Sequence, residues 1–200
     1  MYISSGYLNN SRAPYKNKSK PLIVGSCGTY RLQTVKKLPT WRPRGRLDYQ
    51  LLYVVSGKAH FYFDDAERIV TAGHMVLFQP RQEQHYEYFG TDKTEVYWVH
   101  FTGSNVKNIL HRYDIPLDTP VFYSGASAIY AYLFKEMINE LQTCRTGYEE
   151  LLAMYLRQIL ILVQRTRQEH RTSINTHIQE EMEYARRYFN EHYNEQISIE

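Results

Sequence analysis

Between Tyr49 and Phe101 the apolar residues recur in short runs, each closed by turn-forming residues. The densest run is Gly73-His74-Met75-Val76-Leu77-Phe78-Gln79-Pro80. It opens at a glycine and stops at a proline, which cannot donate to a continuing ladder, so it reads as a buried strand. Tyr49–Val55, Ala59–Phe63, Glu67–Val70, Gln84–Phe89 and Glu95–Phe101 are further strands, separated by Ser56-Gly57, Asp64-Asp65, Ala72-Gly73 and Gly90-Thr91-Asp92. Short strands at this spacing predict a sandwich or small barrel. Upstream, Pro21–Gly25 and Thr29–Val35 extend the sheet, and Trp41–Gly45 reads as a loop or edge. In Glu95–Phe101 alternation places Val96, Trp98 and His100 on one face and Tyr97, Val99 and Phe101 on the other. Both faces are apolar or aromatic, as expected where one lines a cavity and the other is covered.

Past residue 120 the period changes from 2 to 3.6. Ile129, Leu133, Met137 and Leu141, with Phe134 and Ile138, predict an amphipathic helix of about 16 residues. Leu151–Val163 is apolar nearly all round and needs cover on two sides. A second copy of the chain would supply one of them, and an entirely intramolecular helical core is the alternative. The expected dimer face is Leu151, Leu152, Tyr155, Ile159 and Leu162. After a polar exit at 165–171, a third helix is predicted from Thr176 to Tyr193 along Ile178, Met182, Ala185 and Phe189. Ser198 then resembles the cap of another helix, so the chain reads as a cut fragment.

Composition narrows the class. Hydrophobic content of 43% and charged content of 22% describe a globular protein. No apolar run approaches a bilayer-spanning length and the N-terminus has no signal-like core, so a cytoplasmic protein without a membrane partner is expected. Cys27 and Cys144 are expected to be reduced thiols. Residues 1–47 hold ten Lys or Arg and no acid, whereas the remaining 153 hold 14 basic and 21 acidic residues. Opposite signs favour docking of the first part onto the second, or onto an anion. The first twenty residues show no period and read as a flexible arm carrying Tyr2, Tyr7 and Tyr15. The nineteen tyrosines suit strands and also a pocket for a partly polar ligand.

Arg42-Pro43, Gly57, the Gly73…Pro80…His85-Tyr86 spacing and Trp98-Val99-His100-Phe101 occur in one order. With paired helices and Tyr184-Ala185-Arg186-Arg187-Tyr188-Phe189 behind them, the chain resembles the regulatory half of an AraC-family transcriptional regulator. That resemblance implies an α+β fold: an N-terminal cupin (jelly-roll) β-barrel over 21–122 after an arm at 1–20, then antiparallel dimerisation helices at 123–165. A linker at 166–175 and the first helix of a truncated helix-turn-helix domain at 176–200 would follow. It also implies effector sensing, often of a sugar, a homodimer through the helices, and DNA binding only in a full-length protein.

For site residues the resemblance carries over Arg42, Tyr86 and Trp98, which match sugar-lining positions of arabinose-responsive relatives. Trp98 would stack on a sugar face, Tyr86 would offer a hydroxyl and Arg42 a planar fork of donors. Where those relatives carry a ligand-contacting His, this chain has Val96. His100 shares the Trp98 face, His85 either orients a neighbour or is a core histidine, and Thr29, Tyr53, His60 and Tyr62 are further interior candidates. Tyr7 and Tyr15 would join them if the arm closes over the barrel mouth. A metal-dependent cupin enzyme is the rival reading, but the His-x-His pair is broken at His60-Phe61-Tyr62 and no Glu stands at the needed spacing. No catalytic residue, metal or cofactor is therefore expected. A ligand-free dimerisation module is the third reading.

Overall fold

Strand β4 (Tyr49–Ser56) and strand β9 (Glu95–Thr102) lie side by side and are sealed on both faces, as their unbroken apolar and aromatic runs require. The computed structural model describes residues 1–10, 16–64 and 66–191, with backbone alone at 10, 173–180, 183–184 and 186–191. The remaining strands are β1 (Tyr2–Tyr7), β2 (Ile23–Arg31), β3 (Lys37–Arg42), β5 (Lys58–Phe63), β6 (Ala66–Thr71), β7 (His74–Phe78), β8 (Gln84–Phe89) and β10 (Val121–Tyr123). They form two antiparallel sheets, one six-stranded in the order β1-β2-β9-β4-β7-β10 and one four-stranded in the order β3-β8-β5-β6. The fold is an α+β cupin-like β-sandwich followed by helices.

Period-2 alternation sorts the side chains into two cores. Leu52, Val54, Val76, Phe78, Val96 and Trp98 face Ala59, Phe61, Tyr86 and Tyr88 across the sandwich interior. On the other face of the six-stranded sheet, Leu51, Tyr53, Met75, Leu77, Tyr97, Val99 and Phe101 meet helices α1 (Val106–Arg112), α2 (Ala128–Thr143) and the first part of α3 (Tyr148–Glu191). Ser127 caps α2 by accepting from the Ile129 backbone N–H at 3.3 Å.

Several expectations change here. Residues 2–7 are not a loose arm: they form edge strand β1, paired along β2 from Tyr2↔Arg31 to Tyr7↔Ser26. Pro21–Gly25 and Thr29–Val35 merge into the single strand β2, whose irregularity falls between Val24 and Ser26. Trp41 and Arg42, expected as loop or edge, end β3 at the edge of the four-stranded sheet, with the turn following them. Helix α3 passes through 166–175, which was expected as a linker, while the chain divides into compact units at 1–164 and 165–200. Within the second unit Met182 and Ala185 of the predicted stripe are exposed, and the side chains of Ile178 and Phe189 lie outside the described residues, as do residues 192–200 with Ser198.

The charge asymmetry behaves as electrostatics dictates. Lys20 pairs with Glu149 at 2.6 Å, Arg31 with Glu95 at 2.9 Å and Lys37 with Glu87 at 2.7 Å, each joining the basic N-terminal part to later acids. No helix of the described residues is long and apolar enough to cross a membrane.

The predicted dimer stripe on α3 is corrected in part. Leu152 and Ile159 sit in the intramolecular core with Leu156, Leu160 and Val163, while Leu151, Tyr155 and Leu162 are half-buried and Met154 is exposed. We therefore expect Leu152→Ala to lower folding stability by about 2–5 kcal/mol. Met154→Ala should stay within about 0.5 kcal/mol. Urea midpoints of the two variants test this, and equal effects would contradict the assignment of faces.

Candidate functional site

The rows of the six-stranded sheet build one wall of the site. Trp98 on β9 pairs with Gly28 on β2 and Leu52 on β4. A Cβ at Gly28 would lie 2.5 Å from Trp98 Cζ2, so the absent side chain makes the bed on which the indole lies. The next row is polar throughout: Ser26, His100 and Gln50, all buried. Tyr7 and Tyr30 close on Trp98 with ring centroids 6.2 and 6.0 Å away. The opposite wall comes from the four-stranded sheet, where Arg42 pairs with Gln84 and Thr40 with Tyr86.

Between the walls lies a cavity of about 200 Å³, lined by Tyr7, Tyr30, Thr40, Arg42, Arg46, Gln50, Tyr86, Trp98 and His100. Its polar groups are only partly satisfied. Arg42 Nη1 donates to Gln84 Oε1 at 2.8 Å and to the Tyr86 hydroxyl at 3.5 Å. Gln50 Nε2 donates to the same hydroxyl at 3.2 Å. Yet on that lining Gln50 Oε1, Trp98 Nε1 and His100 Nε2 are buried without a partner among the described residues. A buried polar atom left unpaired costs about 1–3 kcal/mol, and three on one cavity lining call for an explanation. A cavity that exchanges water for ligand hydroxyls supplies it.

The charges are equally uneven. Arg46 is tied to buried Asp48 through two bonds, Nε–Oδ1 at 2.6 Å and Nη2–Oδ2 at 2.9 Å, which neutralises it. Arg42 has no acidic partner among the described residues. His100 shares a 2.8 Å hydrogen bond between Nδ1 and Ser26 Oγ. Burial first, then Arg46 and Arg42, hold its ring well below the usual histidine range, so it is neutral. Burial also pushes the Tyr88 hydroxyl well up and the Tyr30 hydroxyl up.

Of the sequence candidates, Arg42, Tyr86, Trp98 and His100 converge on the cavity, and Tyr7 joins them. Val96 faces the same interior, fully buried beneath it. The other candidates point elsewhere. His85 stacks on Tyr62 at 4.3 Å on the outer face of the four-stranded sheet, near Trp41. His60, also outside, is held between Glu67 Oε1 at 2.7 Å and Asp92 Oδ2 at 3.2 Å. Tyr53 packs under α2, its hydroxyl donating to the Gly125 carbonyl at 3.3 Å. Thr29 faces the outer side of the sheet and donates to the Val96 carbonyl at 3.0 Å. Each of these five, His85, Tyr62, His60, Tyr53 and Thr29, is out of phase by one residue with an interior neighbour. Tyr15 lies outside the described residues. Sequence reasoning missed Ser26, Tyr30, Thr40, Arg46, Gln50 and Gln84. The available signal was a Gln in the inward phase of an apolar strand, at Gln50-x-Leu52-x-Val54 and Gln84-x-Tyr86-x-Tyr88.

Larger depressions exist. One of about 310 Å³ lies between Tyr97, Arg31 and α2, and one of about 530 Å³ beside Tyr62, His85 and Asp118. Among the described residues neither is lined by a buried polar atom lacking a partner. Among the described residues no three His, Cys, Asp or Glu side chains converge as a metal site.

A family model for the AraC-like ligand binding domain matches residues 37–180. A search of curated protein sequences finds no match. Similar solved structures include apo ToxT from Vibrio cholerae strain SCE256, at 12% identity and TM-score 0.45, covering 73% of this chain and 55% of that one. The same protein bound to an unsaturated fatty acid aligns at 12% identity and TM-score 0.42, covering 76% and 57%. The EutQ protein of Clostridium difficile aligns at 14% identity and TM-score 0.30, covering 40% and 56%. The chain thus spans a little over half the length of the ToxT structures it matches.

The state of His100 gives a pH signature. The folded ring, facing Ser26, Arg46 and Arg42, binds a proton more weakly than the unfolded ring, whose pKa is about 6.5. Its contribution is therefore full above that value and lost as pH falls below it, by up to about 1.4 kcal/mol per pH unit. Urea unfolding from about pH 7.5 to about 5.5 should show a steeper loss in the wild type than in His100→Gln. Parallel profiles would contradict a neutral, buried His100.

Proposed function

Because the chain belongs to the family of AraC-like ligand-binding domains, we propose that it is the effector-sensing part of an AraC-type transcriptional regulator, binding a carbohydrate inside the sandwich. The observation that carries this reading is the cavity under Trp98, where Gln50 Oε1 and His100 Nε2 are buried without partners among the described residues. Hydroxyls spaced around a sugar ring would meet such atoms, while the indole and the Tyr7 and Tyr30 rings would cover its C–H faces. The cavity lining supports binding through hydrogen bonds and ring faces.

Strand β1 is the route by which occupancy would reach the helices. Tyr7 lines the cavity, and its neighbour Gly6 lies so close to α2 that a Cβ there would be 2.4 Å from Leu141 Cβ. Ser5 O accepts from Gln142 Nε2 at 2.9 Å. Pairing with a second copy would use the apolar side chains that the core leaves uncovered: Tyr132 on α2 and Met154, Leu151, Tyr155 and Leu162 on α3. DNA binding belongs to a helix-turn-helix region of the full-length regulator.

A thermal-shift series with monosaccharides tests the sensor. A ligand at a hundredfold excess over its Kd stabilises by about 2.7 kcal/mol, a shift of several degrees for a domain of this size. The shift should shrink in Trp98→Phe, which keeps the core filled. Sedimentation of the same sample should give twice the chain mass of 23.8 kDa. Silence from every carbohydrate would overturn the effector class, and a single-chain mass would overturn the pairing.

A further inference from the structure

We infer that the protein carries a second binding site, for a phosphorylated small molecule, in a basic depression at the end of the six-stranded sheet where β4 begins and β9 ends. It is separate from the sandwich cavity and independent of the ligand bound there.

The depression, about 260 Å³, is enclosed by the N-terminal segment, the start of β4, the turn after β7 and the passage from β9 into α1. Lys16, Lys18, Arg81 and Lys107 line it, and no carboxylate does. None of these cations has an acidic partner among the described residues. Elsewhere in the basic N-terminal part Lys20, Arg31, Lys37 and Arg46 each meet an acid. Lys16 and Lys18 do the opposite, and face cations of the later, more acidic part. Like charges gathered around one space repel and focus a positive potential there.

The backbone holds that arrangement in place. Thr102 Oγ1 donates to the Asn17 carbonyl at 3.4 Å, the Ser104 N–H to the Lys20 carbonyl at 2.9 Å and the Asn105 N–H to the Pro21 carbonyl at 3.1 Å. The Ser19 N–H donates to Asn17 Oδ1 at 2.7 Å, which closes a tight turn around Lys18. On the opposite rim Arg81 adopts a left-handed conformation with φ 66°, fixed by its N–H donating to the Arg46 carbonyl at 2.6 Å. That conformation is costly for a side chain such as arginine, and it aims one more cation at the same space.

An anion with more than one negative charge offsets this potential. Three of the cations are lysines, whose ammonium groups act on a phosphoryl group as point charges and lack the planar fork that favours a carboxylate. The floor is apolar: exposed Leu47 lies beside the half-buried Tyr49 ring, which stacks on Phe101 at 5.5 Å. A flat organic body would cover that floor while its phosphates meet the lysines. A DNA backbone offers similar charges, but in an extended row, whereas these cations surround one concave space.

Titration calorimetry of the purified chain with inorganic pyrophosphate and with adenosine diphosphate, at constant ionic strength, tests the site. The variants are Lys18→Gln combined with Lys107→Gln, and Lys36→Gln as an exposed lysine outside the depression. Ligand-free melting temperatures show that each is folded. Pyrophosphate should bind the wild type with saturation, and adenosine diphosphate more tightly. The double variant should bind both at least about tenfold more weakly, with Lys36→Gln unchanged. No saturable binding of pyrophosphate, a folded double variant that binds like the wild type, or an equal loss in Lys36→Gln would overturn the site. A short DNA duplex that binds more tightly than either probe, through the same two lysines, would overturn the small-molecule assignment.

Discussion

Strand β9 has no free face, and the rest of the structure is arranged around that constraint. Val96, Trp98 and His100 point into the sandwich, and Tyr97, Val99 and Phe101 point into the helical layer. Burying one such aromatic or aliphatic side chain contributes about 1.5–3 kcal/mol, so losing cover on either side would be expensive. The same strand therefore fixes the position of the cavity wall and the seat of α2. Its neighbours β2 and β4 complete the rows, Gly28–Trp98–Leu52 and Ser26–His100–Gln50. The first row is apolar and supports; the second is polar and faces the space that a ligand would fill.

Much of the fold was legible because hydrophobic phase is a strong signal wherever burial is one-sided or complete. The strand bounded by Gly73 and Pro80, the alternation through Trp98 and the helix from Ile129 to Leu141 all follow from it. The N-terminal strand did not, since Tyr2–Tyr7 is short, carries Ser-Ser-Gly and gains its order from pairing with β2, from Tyr2↔Arg31 to Tyr7↔Ser26, well outside any local window. Helix α3 crosses 166–175 for a related reason: polar, charged residues are good helix formers, and a linker-like composition does not break a helix without Gly or Pro.

The site was half legible. Positions carried over from the family pattern, Arg42, Tyr86 and Trp98, reach the cavity, whereas those chosen by chemistry alone, His60, Tyr62, His85 and Thr29, sit one residue out of phase and face outwards. In a sheet a one-residue error reverses the face, so attractive side chains are uninformative until register is known. The buried glutamines Gln50 and Gln84 show the converse. Their phase was readable, but an amide has no signature that separates a structural role from a ligand contact until its partners are counted.

The account centres on ligand entering the sandwich and not the aromatic patch outside it, and the two tryptophans distinguish these directly. Trp98 is 3% exposed and lines the cavity, while Trp41 is 69% exposed beside His85 on the outer face. A two-dimensional ¹H–¹⁵N spectrum resolves their indole N–H signals, assigned with Trp41→Phe. On titration with a monosaccharide that raises the melting temperature, the Trp98 signal should move and the Trp41 signal stay. Movement of Trp41 alone, with Trp98 unchanged at saturation, would contradict the interior site.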